Sequence, residues 1–316
     1  MKKSGAVWFF TFLTVLLWLG PAARLQTQDP RQVGLNNTPA ATRKVALIIG
    51  NGAYTNVKKL KNPPNDAADV AKALKELGFE LVGDGAGLNL SQREMKQRIR
   101  DFGAKLRNGG VGVFYYAGHG VQLNGHNYLL PVELAVESEA DLEDAAVDLQ
   151  FVFNNLRDAS NGLNIVILDA CRNNPFEGKT RDVRDGLAEV RAATGTLIAY
   201  ATAPGSVASD GEGRNGTYTA SLLKQLKKPD VEVLDMFRQT REEVFAVTKQ
   251  KQVPWTNESL IGRFCFSGCG VTPAAVKPAT VTTNDAAFEL EYWNAIKDSS
   301  DPEEYRGPKQ RDAESV

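Results

Sequence analysis

The stretch of sequence that decides the fold is Ile165-Val-Ile-Leu-Asp-Ala-Cys-Arg-Asn-Asn174. Four branched apolar residues lead directly into Asp169 and Cys171. An apolar run without polar interruptions is typical of a parallel strand that is buried on both faces. Open α/β sheets bind their ligands at the carboxyl ends of such strands. The stretch therefore predicts a buried strand that delivers a thiol to the functional edge of a sheet.

A second run of the same design is Val111-Gly-Val-Phe-Tyr-Tyr-Ala-Gly-His-Gly120, which ends with His119 in the position equivalent to Cys171. A neighbouring histidine lowers the pKa of a thiol or removes its proton. The backbone N–H groups of Gly120 and Cys171 are candidate donors to an oxyanion. For either residue alone, a buried structural cysteine and an inert histidine are the alternatives. His126, in a predicted hairpin, is the rival base.

Strands and helices alternate along the chain. The predicted strands are 44–50, 79–82, 111–119, 165–171, 196–200 and 259–266, with a β-hairpin over 121–130 that turns at Asn124-Gly125. The predicted helices begin at Asn65 or Asp66, Ser91, Asp148, Thr219 and Glu232. This order predicts an α/β fold with a mostly parallel sheet of about six strands and helices on both faces.

The composition bounds the class of protein. The chain has 316 residues, 42% of them hydrophobic and 24% charged, which is enough for a sizeable core and excludes disorder by composition. A net charge of −1 gives no electrostatic reason to expect nucleic acid or an anionic membrane as partner. Cysteines and histidines lack zinc-type spacing, and acids lack Ca²⁺-loop spacing. We therefore predict no metal and no cofactor.

The N-terminus has the pattern of a targeting segment. Lys2 and Lys3 precede an apolar stretch over 6–19, and small residues follow at 20–23. This stretch is short for a membrane span, so we expect a signal peptide and export to the periplasm or beyond, with an uncleaved anchor as the alternative. The predicted segments are the signal peptide or anchor 1–23, a linker 24–42, the folded domain 43–266, a linker 267–285 and a short helical tail 286–316.

The chain has three cysteines, Cys171, Cys265 and Cys269. Cys265 and Cys269 are close enough in sequence to pair, and both are equally compatible with small buried hydrophobic residues. If they pair in an exported protein, Cys171 remains as a reactive thiol.

Two motifs resemble those of the caspase-like cysteine peptidases (peptidase C14): Tyr115-Tyr-Ala-Gly-His-Gly120 and Asp169-Ala-Cys-Arg-Asn173. The order and the spacing of the histidine and cysteine agree with that family. The resemblance covers roughly 43–266 and is closest to the bacterial metacaspase-like and paracaspase-like branch. It implies a three-layer caspase-like fold, a catalytic dyad of His119 and Cys171, and an oxyanion hole at the amides of Gly120 and Cys171.

The chain departs from caspases at Asp169, where they have glutamine. The resemblance implies that Asp169 and Asp66 line the pocket for the substrate residue before the cut bond, with Asp210 as a further contributor. Paired carboxylates favour a guanidinium or an ammonium and repel aspartate, so the expected substrates are proteins or peptides cut after arginine or lysine. The alternative for Asp66 is a helix N-cap.

The segment 174–193 carries the basic residues Lys179, Arg181, Arg184 and Arg191. In the family this segment is often cut during maturation, so self-processing is one interpretation and a solvated loop is the other. Some relatives need calcium, for which no motif is present. A catalytically silent interaction or regulatory module on the same fold is the competing function, because a fold does not imply an activity.

Overall fold

The computed structural model describes residues 43–107, 109–171, 176, 183–184, 187–203 and 213–269. All of them belong to one compact unit that ends at Cys269. The predicted segments 1–23, 24–42 and 286–316 lie outside the described residues, as do Asp210, Lys179 and Arg181. Within the described part of the chain, no helix is long and apolar enough to cross a membrane.

Ten strands and six helices are described. The strands are β1 (Lys44–Gly50), β2 (Glu80–Leu81), β3 (Gly87–Leu88), β4 (Val111–Leu123), β5 (His126–Leu129), β6 (Val147–Asp148), β7 (Leu163–Cys171), β8 (Val183–Arg184), β9 (Thr196–Tyr200) and β10 (Trp255–Glu258). The helices are α1 (Pro63–Glu76), α2 (Gln92–Leu106), α3 (Glu139–Ala145), α4 (Leu149–Ala159), α5 (Thr217–Leu226) and α6 (Val233–Val247).

The central path of the sheet runs through six strands in the order β10-β9-β7-β4-β1-β2, and β3 pairs in parallel with the end of β1. All pairs are parallel except the edge pair β10–β9. From β1 the chain first moves outward to β2 and then returns to β4 on the other side of β1. Such a reversal of strand order opens a crevice at the carboxyl ends of the strands. The expected sheet of about six mostly parallel strands is confirmed.

Two apolar layers cover the sheet. One cluster joins alternate residues of β1, β4, β7 and β9 to α1, α5 and α6, and the other joins the remaining alternate residues to α2 and α4. The central strands are therefore buried on both faces, as their uninterrupted apolar runs predict. Two helical layers with a sheet between them are a three-layer fold, in agreement with the expectation.

Several local predictions are confirmed. The predicted start of a helix at Ser91 is correct, because Ser91 caps α2 and forms a capping box with Glu94. The hairpin β4–β5 turns at Asn124 and Gly125, both with positive φ, as a two-residue turn of this type requires. A disulfide bond joins Cys265 to Cys269, which decides between the two alternatives for this pair.

Several element boundaries were predicted wrongly, and α5, for example, begins at Thr217 instead of Thr219. The first helix begins at Pro63, with Asn62 before it, because the fixed φ of proline suits the first helical position. Residues 259–266 do not form the last strand. The backbone of Phe264 accepts from Val233 N–H and that of Phe266 accepts from Lys44 Nζ, so these carbonyls bond outside the sheet. The edge strand is instead the polar segment Trp255–Glu258, which an apolar pattern does not reveal.

Gly50, at the carboxyl end of β1, tests how tightly α1 packs on the sheet. A Cβ at this position would lie 2.4 Å from Pro63 O and 2.5 Å from Ala67 Cβ. We expect Gly50→Ala to lower the free energy of unfolding by about 2–4 kcal/mol, because the nearest atom belongs to helix backbone. Urea unfolding gives the value. Gly85→Ala, which has open space around it, is the matched control and should change stability by less than about 0.5 kcal/mol. Equal effects of the two substitutions would contradict this packing.

Candidate active site

The register of two parallel strands brings His119 and Cys171 together. In β4 and β7, His119 is the direct Cα partner of Cys171 at the last pair of the ladder, and Ala117 pairs with Asp169. Neighbouring strands lie about 4.8 Å apart, so the two backbones are adjacent at the carboxyl edge. The equivalence of the two positions that the sequence predicts is therefore present in the backbone.

Two tyrosine hydroxyls hold the backbone of His119. Its N–H donates to Tyr54 Oη at 2.8 Å, and its carbonyl accepts from Tyr116 Oη at 2.7 Å. The ring of Tyr54 also packs against the His119 imidazole, with centroids 4.6 Å apart. A Cβ on Gly118 would lie 2.7 Å from both hydroxyls, so the residue before the histidine must be glycine. This contact explains the Tyr-Ala-Gly-His part of the motif.

The imidazole of His119 is buried, with 3% of the residue exposed, and its Nε2 lies 2.7 Å from Lys58 O. A carbonyl oxygen only accepts, so Nε2 carries the hydrogen. In the neutral ring Nδ1 is then the basic nitrogen, because only one of the two holds a proton. The Lys58 carbonyl thus selects the tautomer and orients the ring, as partners of functional histidines commonly do.

The loop between β1 and α1 places Lys58. The amides of Gly52 and Ala53 both donate to Asn89 Oδ1 at 2.9 Å, and Leu60 N–H closes the loop on Gly52 O at 3.0 Å. These bonds fix the conformation of the loop, which contributes the backbone carbonyl of Lys58 to the imidazole of His119. Such a role leaves no side-chain signature, and the sequence did not reveal Lys58 or Tyr54 as part of the site.

Gly120 follows His119 in β4, and its Cα faces other protein groups. A Cβ there would lie 3.0 Å from Ala170 Cβ and 3.1 Å from Leu187 Cδ2. The structure thus gives glycine a packing reason at this position. The role of the Gly120 amide in an oxyanion hole stays a prediction.

Two carboxylates lie beside this edge, on the side of the sheet that α1 and α5 cover. Asp169 precedes Cys171 by two residues in β7, and its Oδ2 accepts from Thr219 Oγ1 at 2.6 Å. Asp66, in the first turns of α1, is 2% exposed, and its Oδ1 accepts from Gly216 N–H at 3.0 Å. The carboxylate of Asp66 bonds to a backbone amide on another element, so its interpretation as a helix N-cap is wrong.

The two carboxylates influence each other. Burial raises the pKa of Asp66, the nearby charge of Asp169 raises it further, and the value is about 8 despite the bond from Gly216. Like charges in a desolvated site disfavour the second ionisation. Near neutral pH Asp66 is therefore mainly protonated.

A surface ion pair secures the segment that faces Asp66. Arg214 donates from Nε and Nη2 to the two oxygens of Asp69 at 2.9 and 3.0 Å, and Asn215 Nδ2 donates to Asp69 Oδ2 at 2.9 Å. These bonds attach the residues before Gly216 to α1 and so help to hold the Gly216 amide against Asp66. Asp210 lies outside the described residues, so its predicted contribution stays a prediction.

With this geometry in place, the comparisons with known proteins decide the family. The model of the caspase domain family, peptidase C14, matches residues 43–265, which is more than half of the chain. The chain belongs to the caspase domain family. The resemblance inferred from the two motifs is confirmed, and the family indicates a cysteine protease or a regulatory module on the same fold.

Two relatives share part of this domain. Mucosa-associated lymphoid tissue lymphoma translocation protein 1 of Homo sapiens is 30% identical over 189 residues, which is 60% of this chain and 22% of that protein. Its Mus musculus homologue matches to the same extent. The chain thus spans about a fifth of the length of these curated relatives.

A cavity of about 1120 Å³ lies at the opposite edge of the sheet. It is lined near the amino ends of β7 and β9 by Asn164 and Thr196, and by Leu156 of α4. Among the described site residues, Asp66, His119, Gly120 and Asp169 do not line it. The chemistry that the motifs indicate is therefore separate from this cavity.

The pKa of Asp66 predicts a dependence of stability on pH. The folded-state pKa lies above the ordinary value of 3.8, so the unfolded chain releases this proton first as the pH rises. The stabilising contribution of the group is complete below about pH 4 and is lost by about pH 8. Asparagine does not titrate and retains an acceptor for Gly216. Asp66→Asn should therefore gain stability over the unchanged chain, by at least about 1 kcal/mol at pH 8.5 and by little at pH 4.5.

Chemical unfolding at both pH values measures the difference. Asp144→Asn, at an exposed position of α3, is the control and should show a difference that changes little with pH. An Asp66→Asn effect that is equal at the two pH values would contradict the raised pKa.

Proposed function

We propose that the chain is a cysteine endopeptidase that cleaves after arginine or lysine, with His119 and Cys171 as the catalytic dyad. The observation that carries the proposal is the pairing of His119 with Cys171 at the end of two parallel strands, beside Asp169 and the buried Asp66. Membership of the peptidase C14 family supports the reaction class. The acids support the specificity, because a cation is the charge that such a pair accepts.

In the proposed reaction, Nδ1 of His119 takes the proton of the Cys171 thiol, and the thiolate attacks the carbonyl carbon of the scissile bond. The backbone amides of Gly120 and Cys171 stabilise the oxyanion. The C–N bond then breaks, and the imidazolium protonates the leaving amine. Water, activated by the same imidazole, hydrolyses the thioester and regenerates the thiol. Throughout, Lys58 O holds Nε2–H and stabilises the imidazolium.

The acid pair gives the preference for a basic residue. A guanidinium or ammonium between Asp66 and Asp169 replaces the proton of Asp66 and forms ion pairs with both carboxylates. An aspartate side chain in the same place puts a like charge beside Asp169, which costs several kcal/mol in such an environment. We therefore propose arginine or lysine before the cut bond, and exclusion of aspartate.

Export of the chain is part of the proposal. The disulfide Cys265–Cys269 supports it, because disulfides persist mainly in oxidising compartments. The signal pattern at 1–23 supports it independently. Self-processing within 174–193 remains a proposal that follows from a preference for basic residues.

Reporter peptides test the proposed function directly. The purified chain should release a fluorophore from peptides ending in arginine or lysine at least about 100-fold faster than from peptides ending in aspartate, because one unfavourable charge is worth several kcal/mol. Cys171→Ala should lose at least about 10³-fold in activity, as enzymes that lose their nucleophile do. Activity that persists in Cys171→Ala would refute the dyad. A folded chain that cleaves no reporter would favour the silent module.

The pH dependence of KM tests the carboxylate pair. A bound guanidinium stabilises the ionised form of Asp66, so binding releases the proton that this group holds below pH 8. KM for an arginine reporter should therefore fall as the pH rises from 6 to 8, by at most about tenfold per pH unit. Asp66→Asn should raise KM and make it nearly constant over this range. A wild-type KM that is equal at pH 6 and pH 8 would contradict the proposal.

A further inference from the structure

A pair of buried hydroxyls connects Asp169 to the core. Tyr115 Oη lies 2.6 Å from Thr219 Oγ1, and Thr219 Oγ1 lies 2.6 Å from Asp169 Oδ2. A longer contact of 3.5 Å joins Tyr115 Oη to the same carboxylate oxygen. Tyr115 and Thr219 are both fully buried, on β4 and α5. The proposed dyad does not use either residue.

The hydrogen bonds in this chain of hydroxyls all donate in one direction, towards Asp169. A threonine hydroxyl has one hydrogen, and in the short bond to Asp169 it is the donor. It must then accept from Tyr115, whose pKa is raised well above its usual value by burial and by Asp169, so that its hydroxyl stays protonated. The chain thus ends in a hydroxyl that donates to Asp169 Oδ2. Donors to a charged oxygen bond about twice as strongly as neutral pairs.

Asp66 has a different environment. It is more deeply buried than Asp169 and receives the backbone N–H of Gly216 on Oδ1, and the side chain of Asn215 also lowers its pKa, but burial has the largest effect. Donors that strengthen on ionisation favour the charged form, and burial favours the neutral form. The hydroxyl chain therefore favours the ionised form of Asp169, whereas burial favours the neutral form of Asp66. The charge of each carboxylate still influences the other.

We propose that Thr219, supported by Tyr115, is a positioning residue that makes Asp169 the ionised member of the carboxylate pair and leaves the other carboxyl, Asp66, protonated. The inference deepens the specificity that we propose for this site and rests on that function for its consequence. A basic substrate side chain then meets a charge that is already present on β7, two residues before Cys171. Asp66 supplies the second charge when it releases its proton.

Other charged groups around the pair are compatible with this assignment. On the side of Asp66, the charge of Asp69 raises the pKa of Asp66, and Arg214 compensates that charge through its ion pair with Asp69. On the side of Asp169, α6 contributes Arg241, whose charge lowers the pKa of the buried Tyr218. Burial and the charge of Asp169 raise the pKa of Tyr218, so it stays neutral.

Carboxyl ¹³C resonances of the full chain, labelled at aspartate, measure each ionisation separately. Asp66→Asn and Asp169→Asn identify the two signals. In the wild type, the signal of Asp169 should titrate at a pH at least one unit below that of Asp66. Thr219→Val removes the donor and keeps the shape of the side chain. It should reduce the gap between the pH values at which Asp169 and Asp66 titrate by about one pH unit, or make Asp66 titrate first. Thr219→Ser should restore the gap, and Tyr115→Phe should narrow it less.

The inference is overturned if Asp66 titrates first in the wild type, or if Thr219→Val leaves the gap unchanged. This titration does not need catalysis. If the wild type cleaves no arginine or lysine reporter, the proposed function fails and the assignment of the proton is still decided. Should Thr219→Val not fold, the Tyr115→Phe titration decides in its place, and an unchanged gap there overturns the inference.

Kinetics provide the second readout. At pH 7, Thr219→Val should raise KM for an arginine reporter about 10-fold and change kcat less than threefold, since the lost bond to a charged group acts on binding. Thr240→Val is the matched control, because it removes a fully buried hydroxyl that donates to Met236 O within α6. It should leave KM unchanged. An equal rise of KM in both variants would indicate a general loss of packing and would overturn the positioning role.

Discussion

The parallel pairing of β4 with β7 is the constraint on which the rest of the structure depends. Nine consecutive residue pairs run from Val111 and Leu163 to His119 and Cys171. A slip of one residue would move every apolar side chain to the opposite layer, so the two apolar clusters specify this register strongly. The alignment of the histidine with the cysteine is thus a consequence of burial in the whole sheet. The hydroxyls of Tyr54 and Tyr116 then hold the histidine where the ladder ends.

The same sheet also sustains an electrostatic cost. Asp66 and Asp169 lie where the apolar layer between the sheet, α1 and α5 reaches the open edge. Burial disfavours the ionised form of Asp66 and thereby raises its pKa. The surrounding packing holds the carboxylate in this unfavourable environment. A local loss of stability of this kind is typical of a binding site whose ligand carries the opposite charge. The hydroxyls of Thr219 and Tyr115 and the amide of Gly216 limit the cost.

Much of this could be predicted from the sequence. The buried strands have uninterrupted apolar runs, and the motifs around His119 and Cys171 carry the family. The edge strand Trp255–Glu258 was missed because it is polar and stabilised by its neighbour's backbone. Lys58 and Thr219 were missed for a related reason. Lys58 acts through its backbone carbonyl, and Thr219 reaches Asp169 from a helix that is distant in the sequence. Contacts between backbone and side chains far apart in sequence leave no periodic pattern.

The most direct measurement is a crystal structure of the chain after reaction with a peptidyl-arginine chloromethyl ketone. The account predicts a thioether at Cys171 Sγ, the guanidinium between the carboxylates of Asp66 and Asp169, and His119 Nε2 still on Lys58 O. An adduct at another residue, or an arginine side chain bound away from both carboxylates, would contradict the account.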